Sequence, residues 1–578
     1  MINFILDKWE GFLVTKPYYE KREITDFKDL INQSTAIYGN KNAFWIKGIM
    51  GEYTGITYKE LKKDIDAVGT EFVNMGLRHE RVAVIGENCY EWCLTYLGTT
   101  NGTGTIVPLD KELPTNEVKE LLLRSHAKAV VFSEKLRKKI LEIKGELPEL
   151  KYLISMHASK EADGVLCFKD IIKKGYDLIK IGDKKFINAR VDGKESTILL
   201  FTSGTTGLAK GVLLSQENIC TDIRIVTSVV DVKESDTYLS ILPLHHTYEC
   251  TVGFLQMLYN GCTISFCEGL RHIVDNLKEV KPTTMIAVPL IYENMYNKIW
   301  DTARKQKKDK GLRFLVNLSN FLRKFNIDLR KKFFKSILNN FGGNIRLAIA
   351  GGAAVDPKVL KGLHDFGFFV IQGYGLTETS PIALVNHVQN YRHDALGLPL
   401  PELEVKIDNP DENGVGELLI KGKIVMQGYY ENEEATNEVF TQDGWFKTGD
   451  LVRKDKDGFY YMAGRKKIVI VTKNGKNIFP EEVESCIGQS EYIKEILVYG
   501  KEVEGELEPR VAAVVFPDFD NVKREFGEEF STEEIHKLIG AEIKKYNKLM
   551  PTYKYVKDFE LRDTEFEKTT TRKIKRRR

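Results

Sequence analysis

The sequence predicts a multidomain α/β protein: a large N-terminal domain of parallel α/β sheets with a small antiparallel β subdomain, then a small, mobile α+β C-terminal domain. Three observations carry this. The chain has 578 residues, beyond the roughly 250–300 at which one hydrophobic core stops growing. From about residue 80 to 375, short β-rich runs alternate with helical patterns. After about residue 400 the runs shorten and are punctuated by Gly, Asp and Asn.

Taken in order, VAVIG (82–86) precedes YEWCLTYLGTT, AVVF (129–132) precedes EKLRKKILEI, TILLF (197–201) precedes SQENICTDIRIV, and LAIAGG (347–352) precedes DPKVLKGLHDF. Strand followed by helix at this spacing reads as a parallel sheet covered by helices. PELEVKIDNPDENGVGELLIKG (401–422) and VRKDKDGFYYMAGR (452–465) read instead as hairpins of a small antiparallel sheet. Past GRKK, the runs IVIV, EEVESCIG, EILVYG, RVAAVVF and TEEIHKLIGAEIKKYNKLM have the size of one small α+β domain. The expected organisation is therefore an N-terminal domain over 1–463, its β subdomain at about 400–463, a hinge at 464–467 and a C-terminal lid domain over 468–578.

Composition removes several function classes. With 42% hydrophobic and 29% charged residues, the chain is globular rather than disordered. The 85 basic and 82 acidic residues leave a net charge of +3, too even for the whole surface to neutralise a nucleic acid. The eight cysteines show neither paired CxxC spacing nor disulfide-scaffold density, as expected of a reducing cytoplasm. MINFILDKWEGFLV lacks a basic n-region and cleavage site, and no apolar run reaches spanning length, so neither export nor insertion is expected. Residues 304–335 carry about a dozen Lys and Arg against two Asp, with Leu and Phe interleaved. That pattern suits either a solvated helix packed by its apolar stripe or a helix lying on a membrane surface.

Three clusters carry chemistry. Leu200 to Gly211, LFTSGTTGLAKG, follows a buried-looking strand. Its glycines permit close backbone approach, its N–H and hydroxyl groups can donate to phosphate oxygens, and Lys210 adds charge. It is not a Walker A loop, because Ala209 and Gly211 stand where that motif needs Gly and Ser or Thr. Composition alone is equally compatible with a structural turn. In Gln372 to Ser380, QGYGLTETS, Tyr374 between two glycines can lie on a flat base, while Thr377 and Glu378 offer the hard oxygens that Mg²⁺ prefers. In Asp443 to Asp450, DGWFKTGD, a carboxylate after a tight turn could accept from two ribose hydroxyls, though Gly-Asp is foremost a turn.

With LPLHHTYE (242–249), AGGAAVD (350–356), WFKTGDL (445–451), GRKKIVIVTKNGKNIFPEEVE (464–484) and TTTRKIKR (569–576), these segments resemble the adenylate-forming superfamily. That superfamily includes acyl-CoA synthetases, luciferases and peptide-synthetase adenylation domains. The resemblance covers nearly the whole chain and is nearest the long-chain fatty acyl-CoA synthetases, which YYEKREITDFKDL and ITYKELKKDIDAVGTEFVNMGL also resemble.

The resemblance implies that ATP, Mg²⁺ and CoA take part. It implies that Thr202, Ser203, Gly204, Thr205, Thr206, Gly207 and Lys210 form a loop over the ATP phosphates. Gly351, Gly352, Ala353, Tyr374 and Gly375 would surround the adenine, Thr377 would meet the α-phosphate, and Glu378 would hold Mg²⁺. Asp450 would grip the ribose with help from Arg465, Lys467 would be the hinge, and Lys573 the catalytic lysine. One position departs from the family pattern: Arg572 replaces the usual Gly before that lysine, which leaves Lys575 as an alternative. His246 stands where the family places a histidine near the acyl pocket, and Glu249 where long-chain members often carry a glutamate; either could instead buttress the fold. The implied reaction joins a long-chain fatty acid to CoA through an acyl-adenylate, with transfer to a carrier protein or a medium-chain or aryl acid as alternatives. No nucleic-acid partner is expected, cytoplasmic localisation is, and 304–335 is the candidate membrane contact.

Overall fold

The computed structural model describes residues 7–9, 12–14, 17–48, 50–202, 209–471, 477–502, 509–528, 530–568, 574 and 576. The chain packs as two units, one of residues 1–404 and 420–446, the other of 405–419 and 447–578.

The first unit holds two large sheets. The eight-stranded sheet runs Gly428–Tyr429, Lys210–Ser215, Ser196–Thr202, Thr105–Leu109, Arg81–Ile85, Ala129–Phe132, Tyr152–Ser155, Val165–Cys167. Strands from Ser196–Thr202 to Val165–Cys167 pair in parallel, and two antiparallel strands finish the other edge. The central strand Arg81–Ile85 is Val, Ala and Ile over four buried positions, the continuous apolar run that a strand covered on both faces requires. Helix Thr115–Arg124 buries Val118, Leu121 and Leu122, a helical spacing, in the same apolar cluster as Ala83, Val107 and Val130.

The nine-stranded sheet runs Leu398–Pro399, Ile382–Val385, Val370–Gly375, Leu347–Ala350, Thr284–Ala287, Thr237–Ser240, Thr263–Phe266, Asn42–Lys47, Tyr53–Thr57. Its middle is parallel, with Ala350 opposite Gln372 and Ala287 opposite Ala350. Residues that follow these strands are therefore gathered at one end of the sheet, where open α/β sheets bind ligands. Helix Pro357–Phe366 starts with Pro at its first turn, is capped by the Asp356 side chain and ends at Gly367 with φ of 101°.

The second unit contains a four-stranded sheet in the order Glu404–Asp408, Gly416–Lys421, Phe446–Lys454, Tyr460–Arg465, the last two forming an antiparallel hairpin. It also contains a three-stranded sheet in which Arg510–Pro517 pairs antiparallel with Ile493–Lys501 and parallel with Asp558–Leu561. Helix Thr532–Asn547 is started by a capping box between Ser531 and Glu534 and buries Ile535, Ile539 and Ile543 against Val483, Val498 and Val515. Parallel α/β sheets, a small antiparallel sheet and a C-terminal α+β portion are the architecture the sequence predicts. All eight cysteines are free thiols, and no described helix is long and apolar enough to cross a membrane.

Candidate active site

Strands Ser196–Thr202 and Lys210–Ser215 form an antiparallel hairpin in which Thr202 stands opposite Lys210, and the Thr202 hydroxyl donates to the Lys210 carbonyl at 3.4 Å. The two ends of the Gly/Ser/Thr segment are thus held side by side at the end of a parallel sheet. Ser203, Gly204, Thr205, Thr206 and Gly207 lie outside the described residues. The short strand Gly428–Tyr429 pairs with the same hairpin, Tyr429 opposite Val212. This brings the Tyr429 ring beneath the Lys210 ammonium, 4.6 Å from Nζ. The Tyr429 hydroxyl donates to Glu378 Oε1 at 2.9 Å. Burial and then the Glu378 carboxylate push the Tyr429 hydroxyl far above its ordinary pKa, so it stays a donor.

Lys210 and Glu378, 168 positions apart in sequence, are therefore joined through one tyrosine. Sequence reasoning missed Tyr429, because nothing local ties it to Glu378. The turn Thr377–Thr379 that presents Glu378 follows strand Val370–Gly375 directly. The Thr379 hydroxyl accepts from Leu376 N–H at 2.9 Å and donates to the Pro381 carbonyl at 2.9 Å, which fixes the turn. Gly375 is required there, because a Cβ would stand 1.6 Å from the Pro381 oxygen.

The proposed adenine wall lies on the neighbouring strand. Gly351, Gly352 and Ala353 follow Leu347–Ala350, and Tyr374 lies on the adjacent parallel strand Val370–Gly375. A Cβ on Gly351 would stand 2.7 Å from Tyr248 Cζ, and Gly352 has φ of 84°. Buried Gln372 links the two segments, accepting from Val355 N–H at 2.8 Å and donating to the Ala395 carbonyl at 3.1 Å.

LPLHHTYE follows Thr237–Ser240, so it emerges at the same end of the same sheet. Asn88, another residue the sequence reading missed, shapes it: its amide donates to the Leu242 carbonyl at 2.6 Å and accepts from Leu244 N–H at 3.0 Å. His246 is half-buried with its ring 4.1 Å from that of His245. His245 lies 3.6 Å from Asp110, and burial, then His246 and Lys111, holds it well below the usual histidine range and therefore neutral at pH 7. Glu249 is 0% exposed. It accepts from Tyr238 at 2.7 Å and Ser240 at 2.5 Å, and burial, only partly opposed by those donors, pushes its pKa up to about 8.

In the second unit Asp450 and Arg465 are ladder partners, with Arg465 Nε 3.4 Å from Asp450 Oδ1. Asp450 is buried and its N–H donates to the Thr448 hydroxyl at 3.1 Å. Glu417, which sequence reasoning also missed, accepts from Gly449 N–H at 3.1 Å and Lys466 Nζ at 2.7 Å, so it fixes the turn before Asp450. Lys467 is exposed in the short turn Lys466–Ile468. Lys573 lies outside the described residues, as does Lys575; the flanking positions Lys568 and Ile574 form a bridge, and Arg576 Nη2 bonds Glu484 at 2.6 Å.

Residues 32–430 match the family model for AMP-binding enzymes, and residues 467–578 match that for the AMP-binding enzyme C-terminal domain. The chain belongs to the AMP-binding enzyme family. It is similar to the long-chain-fatty-acid–CoA ligase FadD15 of Mycobacterium bovis, 26% identical over 565 residues that cover 91% of each chain. It is also similar to the chloroplastic long-chain-fatty-acid–[acyl-carrier-protein] ligase AEE15 of Arabidopsis thaliana, 24% identical, covering 85% of this chain and 76% of that one. The crystal structure of the anthranilate CoA ligase AuaEII with anthranoyl-AMP shares the fold at a TM-score of 0.75, 21% identity and coverage of 95% and 96%. As a member of this family the chain is an adenylate-forming acid–thiol ligase that binds ATP or AMP.

Proposed function

We propose that this AMP-binding enzyme activates a long-chain fatty acid with ATP to an acyl-adenylate and transfers the acyl group to CoA, releasing AMP and pyrophosphate. The observation that carries the reading of the site is the Lys210–Tyr429–Glu378 cluster at the C-terminal end of the parallel sheets, which sets a cation beside a carboxylate held by a neutral donor. In the first half-reaction a fatty-acid carboxylate oxygen attacks the α-phosphorus and pyrophosphate leaves. The chain's task is to hold two anions together and offset their charge. Lys210 and Lys573 supply that charge, Thr377 meets the α-phosphate, and Tyr374 with Gly351, Gly352, Ala353 and Gly375 holds the base. Asp450 takes the ribose hydroxyls, with Arg465 beside it. The oxygens of Glu378 are the hard donors that suit Mg²⁺, which when bound neutralises phosphate charge. In the second half-reaction the lid domain, comprising residues after the 464–467 hinge, turns about Lys467 and admits the thiol.

The long-chain acid is supported by both relatives named above, whose acids agree while their acceptors differ. Transfer to an acyl-carrier protein is therefore the second reading. The deciding experiment is thiol-dependent AMP release across acids from acetate to oleate and benzoate, with CoA and with holo-acyl-carrier protein as acceptor. A maximum among long aliphatic acids with CoA is expected; a maximum with benzoate or acetate would refute the acid, and turnover only with the carrier would refute the acceptor. Lys573→Ala should abolish adenylate formation and spare thioester formation from pre-made acyl-adenylate.

A further inference from the structure

Helix Asp309–Arg323 has two apolar faces where packing needs one. Leu312, Leu315 and Val316 lie against the core cluster that contains Tyr292, Leu338 and Phe366, and Ser319 is fully buried. At 100° per residue, Phe314 and Phe321 fall on the opposite side of the same helix, and Phe325 continues that side into the following turn. Their exposures are 66%, 55% and 62%, with Ile327 beside them also exposed. Among the described residues only Phe526 adds a fourth exposed phenylalanine. Phe321 and Phe325 pack edge to face at 5.2 Å, and Phe314 lies on the same side two turns earlier.

Around this stripe basic side chains predominate. Lys307, Lys308 and Lys310 at one end, and Lys324, Lys331 and Lys332 at the other, are exposed. The two carboxylates within 304–335 are Asp309 and Asp328, and Asp328 is bonded to Arg330 at 2.6 Å. We propose that this face docks on the surface of a bilayer containing anionic lipids, with Phe314, Phe321 and Phe325 entering the headgroup boundary and the lysines meeting lipid phosphates. Aromatic residues settle at that depth, and long cationic side chains reach back to the headgroups. A second copy of the chain would set like charges against each other. A nucleic acid would satisfy the lysines and leave the phenylalanines in water. The inference stands on this surface alone and does not require the long-chain reading.

The test uses the full chain in co-sedimentation with vesicles of phosphatidylcholine alone and with about 30 mol% phosphatidylglycerol. Binding to the anionic vesicles is expected to exceed binding to the neutral ones by at least about tenfold. The triple variant Phe314→Ser, Phe321→Ser, Phe325→Ser is expected to lower binding to anionic vesicles about tenfold while leaving melting temperature and AMP release with a water-soluble acid unchanged. Lys331→Glu with Lys332→Glu is expected to erase most of the preference for anionic lipid. Wild-type binding by the serine variant would overturn the proposal. So would conversion of a dimer to a monomer by that variant with vesicle binding intact, or duplex DNA binding tighter than vesicle binding and indifferent to the phenylalanines. Failure of the wild-type chain to bind anionic vesicles, with the acid panel as expected, would refute this surface and leave the proposed reaction standing.

Discussion

Two glutamates in the first unit, Glu249 and Glu378, follow parallel strands of one sheet and sit in contrasting surroundings. Glu249 is sealed, held by the hydroxyls of Tyr238 and Ser240, and Asn88 in turn donates to Ser240 at 2.8 Å. Glu378 is half-buried on a short turn, with a tyrosine hydroxyl on one oxygen and a lysine over the ring of that tyrosine. The first arrangement favours a protonated carboxyl that joins a strand to a helix. The second keeps a carboxylate within reach of solvent and of cations. What separates the sealed glutamate from the one proposed to hold Mg²⁺ is access and the charge of the neighbours, not position along a motif.

The widest test of that contrast is activity. Glu378→Gln should lower adenylate formation by about 100- to 1000-fold, the scale of losing one electrostatic contact to the reacting phosphates. Its melting temperature should move little; an active Gln variant would break the comparison. Glu249→Ala should do the reverse. It leaves two buried hydroxyls without their acceptor and opens a cavity, for a loss of about 3 kcal/mol in denaturant unfolding near pH 5. At that pH about five-sixths of the unfolded carboxyl is ionised, so proton uptake on folding costs the wild type about 1 kcal/mol, and the measured loss is the packing and hydrogen-bond contribution less that amount.

Titration sharpens the contrast. Glu249 has a folded pKa raised to about 8 against an unfolded value near 4.3. Between these values the folded state holds a proton that the unfolded state has released, so stability falls as pH rises and levels off above about pH 8. Glu249→Gln keeps the shape without the proton. Relative to wild type it should gain about 2 kcal/mol on going from about pH 6 to pH 8, read as the difference between two unfolding series. A constant difference across that range would mean that the carboxyl is ionised in the folded state.

The strand and helix runs were legible because burial on both faces leaves an apolar signature, as in Arg81–Ile85, and because helix starts such as Asp356-Pro357 carry their own punctuation. Family motifs pointed to Lys210 and Glu378 separately. Their connection was not legible, since Tyr429 reaches them only by adding a two-residue strand beside Lys210–Ser215. Asn88 and Glu417 were missed for the same reason: each acts on a turn more than thirty positions away, through hydrogen bonds to backbone N–H or carbonyl groups. The sequence also suggested the basic 304–335 segment without showing its sidedness. Only the packing of Leu312, Leu315 and Val316 reveals that Phe314 and Phe321 point the other way.

The smallest expected effect probes the connection itself. Tyr429→Phe keeps the ring under Lys210 and removes only the hydroxyl that Glu378 accepts from. Because Glu378 is half-buried, water can replace that donor, and the net loss should be about 1 kcal/mol rather than the full cost of an orphaned carboxylate. That corresponds to about a fivefold rise in the Mg²⁺-ATP concentration giving half-maximal AMP release, with kcat nearly unchanged if the tyrosine only orients Glu378. An equal fall in kcat would place the hydroxyl at the reacting phosphates instead. No change in either would mean that the turn Thr377–Thr379, fixed by Thr379, orients Glu378 without help from the hairpin.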